Sequence, residues 1–517
     1  MSAIHILWVD DEIELLKPHV MFLEQKGYEV ETVNNGADAL EVLEEKVFDI
    51  VFLDENMPGL NGLETLTKIK EKDTELPVVM ITKSEEESIM EDAIGSHISD
   101  YLIKPVNPNQ ILLTIKKNLD TRRLVTEKTT SNYQQEFRQI GMDLGSVNSL
   151  EEWEDMYKRL VYWELELDNL EDDSMNEILA MQKREANDLF SQYVHNNYED
   201  WIVNSEEGKV FSHQAFNRFV GPSLRNKEKV FLIVIDNLRW DQWKVIQKEI
   251  NSWFRTDSEE MYTAMLPTAT QYARNAFFAG LLPTDIKKKF GDKWVGEQDE
   301  DGKNLHEEFF LKEQLKRLGL GEIKANYTKV TQHQFGKKYA EKLSNLMSND
   351  LNVLVYNFVD MLSHSKTEME VIRELAEGEK AYRSLTLSWF KNSPLSEVIR
   401  QLADKDYKVM ITTDHGTVNV SSPAKVIGEK NLNTNLRYKL GRNISYNPKE
   451  VFEIKDPQAV GLPTSSFTDV AIFAKEDTFF AYPNNYNHYV KYYRDTYQHG
   501  GVSLEEMIIP FVTLAKK

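Results

Sequence analysis

The 517-residue sequence predicts an α/β protein in three segments: a parallel five-stranded α/β domain, a central helical bundle, and a larger second α/β domain. Three observations carry this. Short apolar runs alternate with amphipathic stretches in the first segment, the βαβα order that makes a parallel sheet. That alternation then stops, and apolar residues recur at helical spacing. Apolar strands return in the third segment, and several of them run into Asp or Asp-His. One hydrophobic core cannot serve a chain of this length. We therefore expect domains over 1–120, 121–226 and 227–517.

Composition narrows the chemistry. With 41% apolar residues the chain can build proper cores, and no window approaches a transmembrane length. The opening MSAIHILWVDDE turns acidic where a signal peptide would continue apolar, so the expected location is the cytoplasm. Cysteine is absent, which removes disulfides, thiolate metal sites and Cys nucleophiles. Any metal must use Asp, Glu, His or hydroxyl oxygens. A net charge of −23 argues against a nucleic-acid coating surface but not against one nucleotide bound at a metal.

In the first domain, strands are expected over 4–9, 29–33, 50–53, 78–81 and 100–103. Asp10, Asp11 and Glu12 follow the first strand and Asp54 the third; Thr82 ends the fourth and Lys104 the fifth. In a doubly wound sheet these ends converge on one rim. Carboxylates gathered there repel one another unless a cation neutralises them, and Mg²⁺ prefers oxygen ligands. Lys104 adds a fixed positive charge, and Thr82 a hydroxyl that can follow a phosphoryl oxygen. The pattern closely resembles a two-component receiver domain with a flavodoxin-like fold. That resemblance makes Asp54 the phospho-acceptor, assigns Mg²⁺ to Asp10, Asp11, Asp54 and Asn56, and makes Tyr101 the switch aromatic beside Thr82 and Lys104. It also implies a sensor histidine kinase as partner and a homodimer on phosphorylation, through a face over 85–119.

The middle segment carries helical periodicity over 131–144, 150–170 and 175–198. Trp153, Trp163 and the methionines read as bundle core rather than a ligand box. A spacer, a dimerisation surface and a relay are all consistent with this segment.

In the third domain, KVFLIVID ends in Asp236, NVLVYNFVD in Asp360, and KVMITT runs into Asp414-His415-Gly416. A helix over 361–375 lets Asp360 and His364, four residues apart, face the same way. Gln498-His499-Gly500-Gly501 forms a turn before a helix starting near Ser503. Ligands sit beyond the carboxyl ends of strands in open α/β sheets, so Asp236, Asp360, His364, Asp414, His415 and His499 come within reach of one another. MLPTATQ feeds a helix from about Gln271, where the dipole and unpaired N–H groups favour an alkoxide and a bound phosphate.

This order of motifs resembles the alkaline phosphatase superfamily, in its PglZ-type branch: strand-Asp, hydroxyl nucleophile, Asp-x3-His, Asp-His and a late His. The resemblance implies two Zn²⁺ ions, one held by Asp236, Thr270, Asp414 and His415, the other by Asp360, His364 and His499. It places the nucleophile at Thr270, the second Thr of P-x-x-T, with Thr268 as the adjacent rival. QYARN follows where a nucleotide pyrophosphatase would carry an Asn-bearing turn, which leaves Arg274, Asn275 and Asn237 as candidate oxyanion donors. Arg437 and Arg442, interleaved with tyrosines, and a tyrosine-rich stretch over 482–497 suit phosphates and stacked bases. Tyrosines packing a surface hairpin fit that pattern equally well.

Taken whole, receiver, helical segment and PglZ-type domain resemble the PorX-type response regulators of Bacteroidetes, linked to type IX secretion. That resemblance implies a phosphorylation-gated zinc phosphodiesterase acting on nucleotide or oligonucleotide diesters, cyclic ones included. A competing reading is a regulator that binds a nucleotide, a sigma factor or a secretion component with little turnover. A phosphomonoesterase or sulfatase is the third, although the sulfatase C/S-x-P-x-R motif is absent around Thr270. No helix-turn-helix pattern follows the receiver, so the output expected is not DNA binding.

Overall fold

A computed structural model describes residues 4–74, 76–83, 98–169, 174–204, 209–296, 302, 304–429 and 432–517. Side chains at 119–128, 131, 204 and 370 lie outside this description, as do residues 85–97 of the expected dimerisation face. The chain folds as two compact units, Met1–Gln134 and Gln135–Lys517. Among the described residues no helix is long and apolar enough to cross a membrane.

The first unit is built on five strands: β1 (His5–Val9), β2 (Glu29–Val33), β3 (Ile50–Asp54), β4 (Val78–Thr82) and β5 (Asp100–Ile103). All neighbours are parallel, in the order β2-β1-β3-β4-β5. Successive side chains on a strand point to opposite faces, and the sequence fills both. Leu7, Val9, Val51, Leu53, Val78 and Met80 meet Ala39 of α2 (Gly36–Glu45) and Leu66 and Ile69 of α3 (Gly62–Lys72). Ile6, Trp8, Ile50, Phe52, Val79 and Ile81 meet Leu23 of α1 (Lys17–Gln25) and Ile111 and Ile115 of helix Pro108–Leu144. Strand order reverses between β1 and β3, so the ends carrying Asp10, Asp11 and Asp54 open onto one crevice.

The helix expected over 131–144 is the last part of that helix Pro108–Leu144. In the second unit, helix Leu150–Leu167 starts at a capping box in which Ser149 accepts from the Glu152 N–H. It buries Trp153, Met156, Tyr157, Leu160 and Val161, and Trp153 meets Phe190 of helix Ser174–Asn204 edge-on. These are core rings, as the periodicity implied.

The second unit is organised by a mixed six-stranded sheet: β6 (Val230–Ile235), β7 (Phe254–Thr263), β8 (Ala325–Val330), β9 (Leu351–Tyr356), β10 (Lys408–Thr412) and the C-terminal strand Ile508–Lys516. The order is β7, C-terminal strand, β10, β6, β9, β8. β10, β6, β9 and β8 are parallel, and the C-terminal strand runs antiparallel to β10 and β7. The central strands are fully buried, which explains their unbroken apolar runs. One expectation needs correcting. β9 stops at Tyr356, and Asp360 sits in the first turn of helix Phe358–Glu368, so its carboxylate comes from a helix rather than a strand end. The helix expected over 361–375 is also two helices, divided where Met369 turns extended.

Candidate active site

At the rim of the first sheet, Asp10, Asp11 and Asp54 bring carboxylate oxygens within 4.8 Å of one another. Lys104 Nζ lies 2.8 Å from Asp10 and 3.0 Å from Asp54. Burial pushes the Asp54 carboxyl up to about 6, helped by Asp10, although the Lys104 hydrogen bond pulls it down. That is the signature of a carboxylate cluster with more negative charge than one lysine offsets, and it suits a divalent cation. Thr82 donates to Glu55, Asn56 is exposed, and Tyr101 is 42% exposed.

Two further groups assemble where the second sheet's strands end. Asp236, Asp414 and His415 form one, all buried; Asp360, His364 and His499 form the other, with ligand atoms within 4.8 Å inside each group. His415 Nε2 lies 3.9 Å from Asp236 and 3.7 Å from Asp414. Asp360 Oδ1 is 3.6 Å from His364 Nε2 and 3.8 Å from His499 Nε2. The rings of His415 and His499 stack at 4.3 Å, which joins the two triads into one centre.

The imidazoles are prepared as ligands. His415 Nδ1 bonds the Gly416 carbonyl at 3.0 Å and His499 Nδ1 the Thr268 carbonyl at 3.0 Å. Each Nδ1 therefore carries the proton, and Nε2 presents its lone pair to the carboxylates. Burial lowers His415, and it lowers His499 to about 4 with His415 beside it, so both are neutral at pH 7. Burial, reinforced by Asp236, raises Asp360 to about 6 and Asp414 to about 8. Asp360 Oδ1 and Asp414 Oδ2 are buried without a hydrogen-bond donor. Three carboxylates, three imidazoles and two orphaned oxygens fit divalent cations with N and O ligands. Burial pushes Asp236 up too, yet the charge and hydrogen bond of the Arg274 guanidinium hold it below the usual carboxylate range.

Thr270 opens helix Thr270–Ala279, and its Oγ1 stands 3.1 Å from His415 Nε2 and 3.5 Å from Asp236 Oδ1. Thr268 is placed differently. Its hydroxyl donates to the Gly501 carbonyl at 2.9 Å and accepts from the Gly500 N–H at 3.0 Å, so it clips the His499 turn. Gly416, next to His415, is required by a close approach. A Cβ there would lie 1.9 Å from the Glu505 carbonyl oxygen, so only glycine admits helix Leu504–Met507 so close to His415.

The other expected substrate contacts are dispersed. Asn237, at φ +67°, gives one Nδ2 hydrogen to Ser363 Oγ at 3.1 Å, and its Oδ1 is buried without a donor. Asn275 bonds back to the Gln271 carbonyl at 2.8 Å. Arg274 is buried between Asp236 and Glu307. Arg437 is buried against Glu506 and two backbone carbonyls, a structural ion pair. Arg442 is exposed, 3.4 Å from Glu429. The tyrosine-rich stretch contains helix Tyr486–Tyr493, which buries no residue; Tyr489 stacks on Tyr493, and Arg373 lies over Tyr492. Sequence reasoning missed Glu307, Asn304, Ser363 and Tyr382. Asn304 donates to the Thr270 carbonyl at 2.9 Å, and no local motif marks any of the four.

Comparisons with known proteins agree with this layout. Residues 6–116 match the response regulator receiver domain family, 123–202 the PorX response regulator linker domain, and 215–514 the BREX system PglZ alkaline phosphatase-like domain. The chain is similar to the alginate biosynthesis transcriptional regulatory protein AlgB of Pseudomonas putida, 38% identical over 119 residues, 23% of this chain and 27% of that protein. It is 36% identical to the transcriptional regulatory protein ZraR of Klebsiella oxytoca over 140 residues, 27% of this chain and 32% of that protein. The chain thus spans about a third or less of these relatives' length. A CheY-like receiver domain structure from Methanospirillum hungatei is 30% identical, with TM-score 0.23, covering 24% of this chain and 98% of that one.

Proposed function

We propose a phosphorylation-controlled phosphodiesterase for this chain, which belongs to the PglZ alkaline-phosphatase-like family and carries the PorX-type architecture of receiver, linker and PglZ domain. The observation that carries the reading is the Thr270 hydroxyl, 3.1 Å from His415 Nε2, at a helix N-terminus beside two carboxylate–imidazole triads. A protein that only bound a nucleotide would have no use for that hydroxyl.

Asp236, Asp414, His415 and Thr270 would hold one zinc ion, and Asp360, His364 and His499 the second. Bound there, the ions supply the Lewis acidity that acidifies the Thr270 hydroxyl and neutralises the leaving oxygen. Thr270 Oγ1 attacks phosphorus in line; the Oγ1–P bond forms, the bond to the leaving alkoxide breaks, and the hydroxyl proton passes to solvent. Water then displaces Thr270 from phosphorus and restores the hydroxyl. The N-terminal N–H groups and dipole of helix Thr270–Ala279 favour the phosphoryl charge at its start. Exposed Tyr489 and Arg442 support a nucleotide or oligonucleotide diester as substrate, while Tyr486 and Tyr493 of the same helix pack on an apolar cluster.

The receiver controls this output. Asp54 accepts the phosphoryl group from a histidine kinase, with Mg²⁺ on Asp10, Asp11, Asp54 and Asn56, and Lys104, Thr82 and Tyr101 transmit its arrival. The modified chain dimerises and acts in the cytoplasm on type IX secretion, with a sigma factor or secretion component as a further partner. The functional boundaries are 1–120, 121–226 and 227–517.

The test is the zinc-loaded full chain and its Thr270→Ala variant on a chromogenic phosphodiester. Wild type hydrolyses it, and Thr270→Ala is slower by about a thousandfold or more. Equal rates would remove Thr270 as nucleophile; no hydrolysis by the wild type would favour a binding regulator.

A further inference from the structure

The triad of Asp360, His364 and His499 comes from two separate elements. Helix Phe358–Glu368 supplies the first two, and the turn after strand Thr496–Gln498 the third. A metal site tolerates only a fraction of an ångström of drift between its ligands, so something must hold helix and strand in register. Helix Gly378–Asn392 contributes no ligand, yet its fully buried Tyr382 touches both.

The Tyr382 hydroxyl lies 2.7 Å from Oγ of Ser363, the residue before His364. Ser363 gives its one hydrogen to the Val359 carbonyl at 3.1 Å and accepts from Asn237 Nδ2 at 3.1 Å. Its remaining lone pair takes the Tyr382 O–H, which makes Tyr382 the donor. The Tyr382 ring stacks on Tyr497, two residues before His499, at 3.8 Å and 17°. The Arg239 guanidinium, three residues after Asp236, sits 5.5 and 5.3 Å from these two ring centres. One side chain therefore ties the Asp360–His364 helix to the His499 strand, and Asn237 ties the same serine to the Asp236 strand.

We propose that Tyr382 is the positioning residue of the Asp360–His364–His499 triad, acting through Ser363 by its hydroxyl and through Tyr497 by its ring. The inference rests on the metal-centre reading above, and it assigns Tyr382 no contact with substrate. A tyrosine that merely filled the core would not distinguish one triad from the other. Removing its hydroxyl frees helix Phe358–Glu368 to drift while Asp236, Asp414 and His415 stay where β6 and β10 put them.

The experiment titrates full-length wild type, Tyr382→Phe and Ser363→Ala with Co²⁺ against a competing chelator, following visible absorption, with circular dichroism to verify the fold. With excess Mg²⁺ present to fill the Asp10–Asp11–Asp54 cluster, wild type takes two Co²⁺ ions. Each variant is expected to lose about ten- to a hundredfold in affinity for one ion and keep the other. The double variant should lose no more than Ser363→Ala alone, because Tyr382→Phe deletes a contact that Ser363→Ala has already removed. Wild-type affinity for both ions in both variants would overturn the proposal, as would equal loss at both sites. A wild type that binds fewer than two ions would overturn the metal-centre reading and this proposal together. Two bound ions without phosphodiester hydrolysis would overturn the enzymatic reading alone, and the variants' affinities would still decide the role of Tyr382.

Discussion

Arg274 Nη1 donates to Asp236 Oδ2 at 2.6 Å, while the other oxygen of that carboxylate, Oδ1, faces Thr270 Oγ1 at 3.5 Å. The two oxygens are thus divided between a buried cation and the reacting side of the site. Arg274 keeps its other arm on Glu307, itself held by Tyr327 and by Lys329 at 3.4 Å. A guanidinium enclosed by two carboxylates fixes a ligand's direction, a different task from grasping a substrate.

Arg274→Met should therefore act on stability before it acts on turnover. It leaves Asp236 buried without its cation and Glu307 with Lys329 alone, which costs about 3–5 kcal/mol. Urea unfolding of the metal-free protein measures the loss. Added zinc should restore part of it by neutralising Asp236.

Metal removal gives a second expectation. An ion that binds only the folded chain, held at about a hundred times its dissociation constant, adds about 2.7 kcal/mol. Melts with zinc and with a chelator should differ accordingly. The His364 side chain is 63% exposed, so His364→Ala should leave the metal-free melt unchanged and abolish the increment from one ion.

Glu154 sets a pH dependence far from either metal triad. Burial raises its carboxyl from 4.5 to about 7, with Glu151, Asp155 and Glu260 adding to the rise against Lys158. Because the folded value lies above the unfolded one, the folded chain binds the proton more tightly. The stability this supplies is complete below pH 4.5 and is lost as pH rises through 7. Glu154→Gln should match wild type at pH 4 and exceed it by about 2 kcal/mol at pH 8, measured by denaturant unfolding.

Asp54→Ala removes the proposed phospho-acceptor while leaving Lys104 2.8 Å from Asp10. With a small-molecule phosphoryl donor and Mg²⁺, wild type should shift to the dimer in size-exclusion chromatography, and Asp54→Ala should stay at the monomer position. A variant that still dimerises would separate assembly from phosphorylation.

Much of the site was legible because its residues sit at places that local rules can find. Asp54 ends β3, while Asp10, Asp236 and Asp414 follow β1, β6 and β10; each lies at or just beyond the carboxyl end of an apolar strand, which must face the rim. Asp360 was found for a partly wrong reason. The apolar run seemed to continue through Phe358-Val359, but those residues are the first turn of a helix that starts after Asn357. Helix and strand cannot be told apart in a short apolar run. Arg437 was misplaced as a substrate contact because charge beside tyrosine looks the same in sequence whether the guanidinium meets solvent or a buried Glu506.

By itself, then, the order of residues determined the five strands of the first sheet and the central strands of the second, the chemistry near their ends, the absence of thiol ligands and the family to which those motifs belong. Tertiary structure decided which hydroxyl faces the carboxylates: Thr270 does, while Thr268, two residues earlier, clips a glycine turn. It also decided that Arg274 pairs with Asp236 and Glu307, and that Tyr382 meets Ser363 beside His364. The physical reason is the range of the forces involved. Periodicity and chain-end chemistry act between neighbours in sequence, whereas a buried polar group must find its partner wherever the packed chain brings one. Ser363 and Asn237 are 126 positions apart, and no spacing rule reaches across that distance.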